Sequence, residues 1–399
     1  MNTNETPLTR RRFLKTSAAL GAGALLLPAI SWAQAPAPSI PRRKFGRSGI
    51  DVPALGLGCM FDIADNLVIL RQALDHGVNY WDTAVNYANG RSEIGIGSFL
   101  ASNSDARKEI FLVTKASGAH SANDMTRLLT QSLERLNTDH VDLYFLHGMD
   151  DISRVDQPEI RAWAESAKKS GKIRLFGFST HSNMERCLSA AAKLGWIDGI
   201  MFTYNYRLME TDDMKAAVDA CHAAGIGLTA MKTQGARLGF DTPAQAALLD
   251  TLAGRGFTPG QSKLKAVMDN PKIAVACVQM PNLKWFRQNV AAALDQATLP
   301  LAQRDALRRH ADATCSAYCG GCSHLCESAL AGAAPVRDVL RYLMYQDHYT
   351  ELDARALFAE LAPEVRSALP RLDYSAAERA CPRRLPIGSL MRSASTLLS

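Results

Sequence analysis

Asp82, Tyr87, Lys115 and His147 lie at or just beyond the ends of short apolar runs, and each carries a group that can hold or give a proton. Lys115 closes the run 110–116. A lysine there must be desolvated or paired: desolvation lowers its pKa, whereas a carboxylate such as Asp82 holds it charged. A charged lysine beside Tyr87 favours phenolate and is expected to lower the phenol's pKa from about 10. The phenol then becomes a proton donor usable near neutrality. His147, closing the next run, can hydrogen-bond a substrate oxygen and orient it. Together the four describe a site that protonates a carbonyl oxygen while hydride arrives at carbon. Singly, a strand-end Lys or Asp reads as a structural ion pair and a His as a satisfied rim residue. Four of them on successive run ends carry the functional reading.

The elements that must position them follow a repeated rhythm. Short β-rich runs at 53–60, 80–84, 110–116, 141–147, 173–180, 199–205, 225–233 and 273–280 alternate with segments of helical period. Most runs are apolar on both faces, as parallel strands covered by helices should be. Leu67, Leu70 and Leu74 recur at helical spacing before Gly77, a C-terminal stop. Ser121 with Asp124 opens a helix striped by Met125, Leu128, Leu129 and Leu136. Pro158 opens another, with Ile160, Trp163, Ala164 and Ala167 on one face and Gly171 at its end. Eight strands each followed by a helix fit an α/β fold of the (β/α)8 barrel type, although an open doubly wound sheet shares the rhythm. In a barrel, polar residues at the C-terminal strand ends face the active site. That rule selects Asp82, Lys115, His147, Ser179, Asn205 and Lys232. Loop lengths predict no dedicated lid.

The sequence Asn79-Tyr80-Trp81-Asp82-Thr83-Ala84-Val85-Asn86-Tyr87, with Ser92-Glu93 after it, resembles the aldo-keto reductase signature. Val113-Thr114-Lys115 and Asp142-Leu143-Tyr144-Phe145-Leu146-His147 match the family's next two blocks in order, and Phe45-Gly46 to Gly58 resembles its opening hairpin and first strand. The resemblance spans roughly residues 41–295. It implies that Tyr87 is the acid, that Lys115 and Asp82 tune it, and that His147 orients the carbonyl of a small-molecule substrate. It also implies a nicotinamide cofactor, NAD(P)H, as hydride source.

On the cofactor side the chain departs from the family pattern. The family holds the nicotinamide amide with Ser, Asn and Gln and stacks a tyrosine on the ring. Here Ser179 is kept, Thr180 stands for the Asn, Met201 for the Gln and Met231 for the tyrosine. Methionine is polarizable and can lie against an aromatic ring, so stacking can survive; Met201 cannot replace amide contacts. Counting back from Asn289, the positions that usually bind the 2′-phosphate of NADP hold Gln279, Met280 and Trp285. A doubly charged phosphate needs cationic donors. NADH therefore stands as an alternative to NADPH, and Lys232 is read either as a pyrophosphate contact or as a rim lysine.

After residue 300 the rhythm stops and the chain turns mostly helical. There Cys315-x3-Cys319-x2-Cys322-x3-Cys326 surrounds Gly320-Gly321, which permits a tight wrap. Cysteines at this density suit an iron–sulfur cluster, whose irons take four thiolates. Zinc and disulfides are the rival readings. The stretch resembles the ferredoxin-like tail of a subset of aldo-keto reductases, with Leu340-Arg341-Tyr342-Leu343-Met344-Tyr345 downstream. The resemblance implies a [4Fe–4S] cluster on Cys315, Cys319, Cys322 and Cys326. Glu327 replaces the usual Pro after the fourth cysteine, and Cys381-Pro382 offers Cys381 as the alternative ligand.

The first residues read as an address. Thr9-Arg10-Arg11-Arg12-Phe13-Leu14-Lys15 precedes an apolar stretch at 18–30, and Ser31-Trp32-Ala33 offers small residues at a cleavage site. Thirteen residues are too few to cross a bilayer core of ~30 Å as a helix. The segment resembles a twin-arginine export signal. The expected organisation is a signal peptide at 1–33, a Pro/Ala linker at 34–41, the barrel at 42–300 and a helical, cysteine-bearing region at 301–399. The protein is expected to be exported, to the periplasm or beyond, with the twin-arginine machinery as partner, and not to be an integral membrane protein. Without residues 1–33 the chain has 41 basic and 38 acidic side chains, too even a balance to recruit nucleic acid. Two functional classes remain: a carbonyl reductase, or an exported iron–sulfur redox or binding module on the same barrel that has lost nicotinamide chemistry and serves an electron-transfer partner.

Overall fold

The computed structural model describes residues 39–349 and 353–399; the expected signal peptide and most of the linker lie outside them. Strands β1 (Arg42–Lys44) and β2 (Asp51–Pro53) form an antiparallel hairpin. The eight strands that follow are β3 (Leu55–Gly58), β4 (Tyr80–Asp82), β5 (Phe111–Ala116), β6 (Val141–Leu146), β7 (Ile173–Thr180), β8 (Gly199–Thr203), β9 (Gly227–Met231) and β10 (Val275–Gln279). They pair in parallel, each with the next, and β10 returns to β3 to close a (β/α)8 barrel. All eight expected runs are strands, and the open sheet is excluded by the β10–β3 pairing. The first run is trimmed because Asp51–Pro53 turns back onto Arg42–Lys44 instead of continuing into the barrel.

The helices outside the barrel begin and end where local chemistry requires. In order they are α1 (Leu67–Asp75), α2 (Arg91–Ser102), α3 (Ala122–Leu136), α4 (Pro158–Lys169), α5 (Met184–Ala191), α6 (Asp212–Ala223), α7 (Pro243–Ala247), α8 (Pro259–Met268) and α9 (Leu283–Leu294). The Ser121 hydroxyl accepts the Asp124 N–H at 3.1 Å and caps α3. The buried face of α3 contains Met125, Leu128, Leu129 and Leu136, as the spacing predicts. In α1 the buried face is Ile69, Leu70 and Ala73 instead, and Leu67 is exposed. Helices α2 and α3 approach so closely that a Cβ at Gly97 would lie 2.0 Å from the Arg135 carbonyl oxygen.

Two apolar layers hold the barrel. Inside it, Phe45, Tyr80, Phe111, Val113, Phe145 and Met201 fill the bore; Phe45 comes from the hairpin and stacks toward Phe111 with ring centroids 5.4 Å apart. Outside it, residues such as Leu57, Trp81, Leu112, Phe176 and Phe202 meet the helices. Fully burying a side chain of this size stabilises the fold by roughly 1.5–3 kcal/mol.

Beyond the barrel the chain is helical, as expected: α10 (Leu301–Ala313), α11 (Ser323–Cys326), α12 (Val336–His348), α13 (Ala354–Ala359), α14 (Pro363–Ala368), α15 (Ser375–Ala380) and α16 (Ile387–Leu397). It has its own apolar cluster, centred on Val339, Leu343, Phe358 and Met391. The extension is tied to the loops at the C-terminal ends of the strands. The Asn183 N–H donates to the Gly321 carbonyl at 2.8 Å, the Leu238 N–H to the Ala317 carbonyl at 2.8 Å, and Arg337 pairs with Asp150 at 3.0 Å. The extension thus takes the position of a lid, which loop lengths did not predict. No helix among the described residues is long and apolar enough to cross a membrane.

Candidate active site

Parallel register brings the strand ends to one face. Asp82 pairs in register with Val113, and Lys115 with Phe145, so Asp82, Lys115 and His147 stand on three adjacent strands. Lys115 Nζ donates to Asp82 Oδ1 at 2.7 Å, to the Thr83 carbonyl at 2.8 Å and to Tyr87 Oη at 3.3 Å. An ammonium has three protons, and these three acceptors use them. The ion pair is sealed: the Lys115 and Asp82 side chains are 1% and 5% exposed. Asp82 Oδ2 is buried without a hydrogen-bond partner. Burial works to lower the Lys115 pKa, but Asp82 and Tyr87 outweigh it and hold the lysine charged.

Tyr87 sits in a turn whose next residues, Ala88 and Asn89, have φ of 48° and 53°. Left-handed backbone at an alanine stores strain of a kind that collects at functional sites. Burial pushes the phenol's pKa up, and the nearby Lys115 only partly offsets this. The expected net lowering is therefore not found: with its hydroxyl enclosed, the phenol stays protonated and is a donor. Its ring meets His147 edge-on at 5.8 Å. Burial, with Lys115 and Arg341 nearby, keeps His147 neutral, far below the usual imidazole pKa. Ser117 Oγ lies 2.5 Å from His147 Nδ1 and donates to Asn86 at 2.7 Å, which pins the ring; in this arrangement the imidazole proton sits on Nδ1 and is given to Ser117.

A supporting layer lies beneath. The Ser92 hydroxyl donates to the Cys59 carbonyl at 2.6 Å and meets Thr83 at 2.8 Å. The Thr114 hydroxyl donates to Glu93 at 2.7 Å, and Arg135 pairs with Glu93 at 3.4 Å while donating to the Val85 carbonyl at 2.8 Å. Ser92 and Glu93 are visible in the sequence as part of a signature; Arg135 and Ser117 carry no sequence signal of their role.

The cofactor-side residues are placed unevenly. The Ser179 hydroxyl, at the mouth, accepts the Gly148 N–H at 3.1 Å. The Thr180 hydroxyl is spent on the Ser182 carbonyl at 2.6 Å. Met201 is buried in the bore at 1% exposure, whereas Met231 is half-buried at its rim. Gln279 donates to the Met60 carbonyl at 3.0 Å, Asn289 is buried in α9, and Trp285 is 44% exposed on that helix. These groups suit a nicotinamide ring, with Ser179 and Met231 beside it. They do not suit a 2′-phosphate, because Gln279, Met280 and Trp285 bring no cation.

Lys232, left-handed at φ 53°, is engaged from the extension. Its Nζ meets Tyr345 Oη at 2.9 Å and lies 4.3 Å from the centre of that ring. Asn205 donates to Tyr318 Oη at 3.0 Å. His181, Arg341 and Tyr345 therefore border the mouth, although sequence reasoning gave them no role. The motif containing Arg341 and Tyr345 was visible, but not the face it would cover.

The cysteines separate into two sets. Cys59, Cys187, Cys221 and Cys277 are buried singly, and all nine cysteines are free thiols. Cys319, Cys322, Cys326 and Cys381 line one cavity of about 380 Å3, with Arg383 and Leu385; Cys315 is not in its wall. Burial pushes the Cys319 thiol up to about 11 and Cys326 up to about 12. Among the described residues no three His, Cys, Asp or Glu side chains converge closely enough to hold one metal ion.

Comparison with known proteins bears on the barrel and on the N-terminus. The aldo/keto reductase family model matches residues 55–246, and the twin-arginine translocation signal model matches residues 7–26. The chain is 35% identical over 153 residues to the uncharacterized oxidoreductase YqkF of Bacillus subtilis, covering 35% of this chain and 48% of that one. It is 30% identical over 209 residues to the uncharacterized oxidoreductase YrpG of the same organism, covering 46% of this chain and 64% of that one. The chain thus spans about half to just under two thirds of the length of these curated relatives. Aldo-keto reductase AKR11C1 from Bacillus halodurans, in its holo form, superposes with a TM-score of 0.55 at 24% identity, over 68% of this chain and 96% of that one; at that identity the likeness speaks for the fold. The twin-arginine signal supports export by that pathway. The motifs, the closed barrel and the match of residues 55–246 to the aldo/keto reductase family model agree with one another, and residues 7–26 match a twin-arginine signal sequence.

Proposed function

We propose that the protein is an exported oxidoreductase of aldo-keto reductase type that reduces the carbonyl of an aldehyde or ketone to an alcohol. The observation that carries this reading is the Lys115 ammonium held 2.7 Å from Asp82 and 3.3 Å from the Tyr87 hydroxyl. Tyr87 gives its proton to the carbonyl oxygen, and the charge left on the phenolate is met by Lys115. Asp82 keeps the lysine charged through the cycle. His147 holds the same oxygen from Nε2 in the tautomer reached when the Ser117 hydroxyl turns from Asn86 to donate to Nδ1, and so sets its angle to Tyr87. A reduced nicotinamide, when bound, supplies the hydride; Ser179 and Met231 are the residues beside it, with Thr180, Met201, Lys232 and Asn289 around them. The absence of cations at Gln279 and Trp285 favours NADH over NADPH. Reduction of a panel of aldehydes with NADH, by wild type and by Tyr87→Phe, tests the reading: it requires turnover in the first and its loss in the second.

A second reading is favoured by the cysteine cavity. A cluster takes one thiolate per iron, so its ligands need not converge on a point. Four free thiols around one cavity suit it, with Cys381 in place of Cys315 beside Cys319, Cys322 and Cys326. The cavity shares Cys319, Gly320, Arg337 and Leu340 with the cavity at the barrel mouth. On this reading the module is an iron–sulfur redox protein in the periplasm, serving an electron-transfer partner. Iron and sulfide content of anaerobically purified protein decides it, and iron-free protein refutes it. The domain limits that go with either reading are 1–33, 34–41, 42–300 and 301–399.

A further inference from the structure

We propose that the cavity between the barrel mouth and the C-terminal extension takes a substrate bearing a carboxylate, which Lys232 and Arg341 bind. This rests on the carbonyl-reductase reading and adds a substrate class to it: oxo acids, of which the 2-oxo acids are the shortest.

The cavity holds about 590 Å3 of open space, walled by His181, Thr203 and Lys232 from the barrel and by Arg337, Arg341 and Tyr349 from the extension. Most of its cations are already neutralised. Arg237 pairs with Asp241 at 2.8 Å, and Arg337 with Asp150 at 3.0 Å and Asp338 at 2.8 Å. Lys232 differs. Among the described residues no carboxylate stands within ion-pair distance of it, and its polar partner is the Tyr345 hydroxyl at 2.9 Å. Arg341 gives Nη2 to Asp338 at 2.9 Å, but its Nε is buried without a partner. A buried cationic donor left unpaired is costly. A carboxylate ligand would remove that cost, since its two oxygens can meet the guanidinium and the ammonium together.

The placement relative to the tetrad sets the substrate class. Arg341 is within electrostatic reach of His147 and His181, and Tyr345 of Tyr87. A carboxylate held between Lys232 and Arg341 would anchor one end of an oxo acid whose carbonyl extends to the tetrad at the same strand ends. The chemistry balances as for any carbonyl: its carbon accepts hydride from a reduced nicotinamide, its oxygen accepts the Tyr87 proton, solvent restores that proton, and the carboxylate is unchanged. The backbone at Lys232 is left-handed, which is rare for a lysine and carries a local cost.

The test uses the full exported chain, with Arg341→Met and Lys232→Met made separately and their unfolding midpoints measured first. Two readouts are taken: the ratio of kcat/KM for 2-oxobutyrate to that for butanal with NADH, and the calorimetric affinity for oxamate, an unreactive analogue of a 2-oxo acid. The expected result is a ratio lowered about 10- to 100-fold in each folded variant, with oxamate binding weakened by a similar factor. Oxamate that fails to bind wild type, or binds both variants as tightly as wild type, overturns the proposal. So does weaker NADH binding with unchanged oxamate binding, which would assign the two cations to the cofactor's pyrophosphate. Wild type that binds oxamate through Arg341 and Lys232 but reduces no carbonyl sinks the reductase reading and leaves the carboxylate site standing.

Discussion

Lys115 meets three acceptors with one ammonium, and Asp82 has no other cation to turn to among the described residues. Lys115→Met should therefore strand a buried carboxylate and cost about 3–5 kcal/mol of stability, read as a lower denaturant midpoint. Asp82→Asn should cost a similar amount, because it strands the buried Lys115 ammonium instead. The pH dependence follows from His147 and His181, whose pKa values burial and neighbouring cations hold well below 6.5. Depressed imidazoles bind fewer protons folded than unfolded. Their contribution to stability is present above about pH 6.5 and is lost as pH falls through the folded values. Thermal midpoints should fall from pH 7 towards pH 5, and His181→Gln should flatten that fall; a wild-type midpoint constant across the range would contradict it. The tetrad was legible because its members close runs whose other residues are apolar. The Tyr87 shift was not: residue type announces the lysine that lowers a phenol's pKa, but not the burial that raises it.

Elements were legible where period and punctuation agreed. Ser121 marks a helix start because its hydroxyl caps the first turn, and Pro158 because its ring presets φ at the first helical position, where no N–H is needed. Strand ends were less exact: the run expected to continue to 233 stops at Met231, where Lys232 turns left-handed. What spacing could not reveal is approach across the chain. Gly97 looks like any helical glycine, yet its hydrogen faces the Arg135 carbonyl. Gly97→Ala should cost about 1–3 kcal/mol by forcing α2 from α3; a urea midpoint equal to wild type would show that the two helices can part freely. The extension as lid was hidden for the same reason, since its contacts join residues far apart in sequence: Lys232 to Tyr345, and Asn183 to Gly321.

The whole molecule couples an export signal, a barrel and a cysteine-bearing extension. Replacing Arg11 and Arg12 together by Lys should leave the protein in the cytosol, checked by fractionation; unchanged export would show that another signal is read. On the iron–sulfur reading, Cys381→Ser should abolish any visible absorbance of anaerobically purified protein and Cys315→Ser should leave it, because only the first thiol lines the cavity. One measurement reaches the central claim most directly: the rate of NADH-dependent aldehyde reduction by Tyr87→Phe against wild type, both folded to the same midpoint. Tyr87→Phe should be slower by about 10²- to 10⁴-fold, the share that a positioned proton donor contributes. Equal rates in the two proteins would contradict it and move the proton donor elsewhere in the mouth.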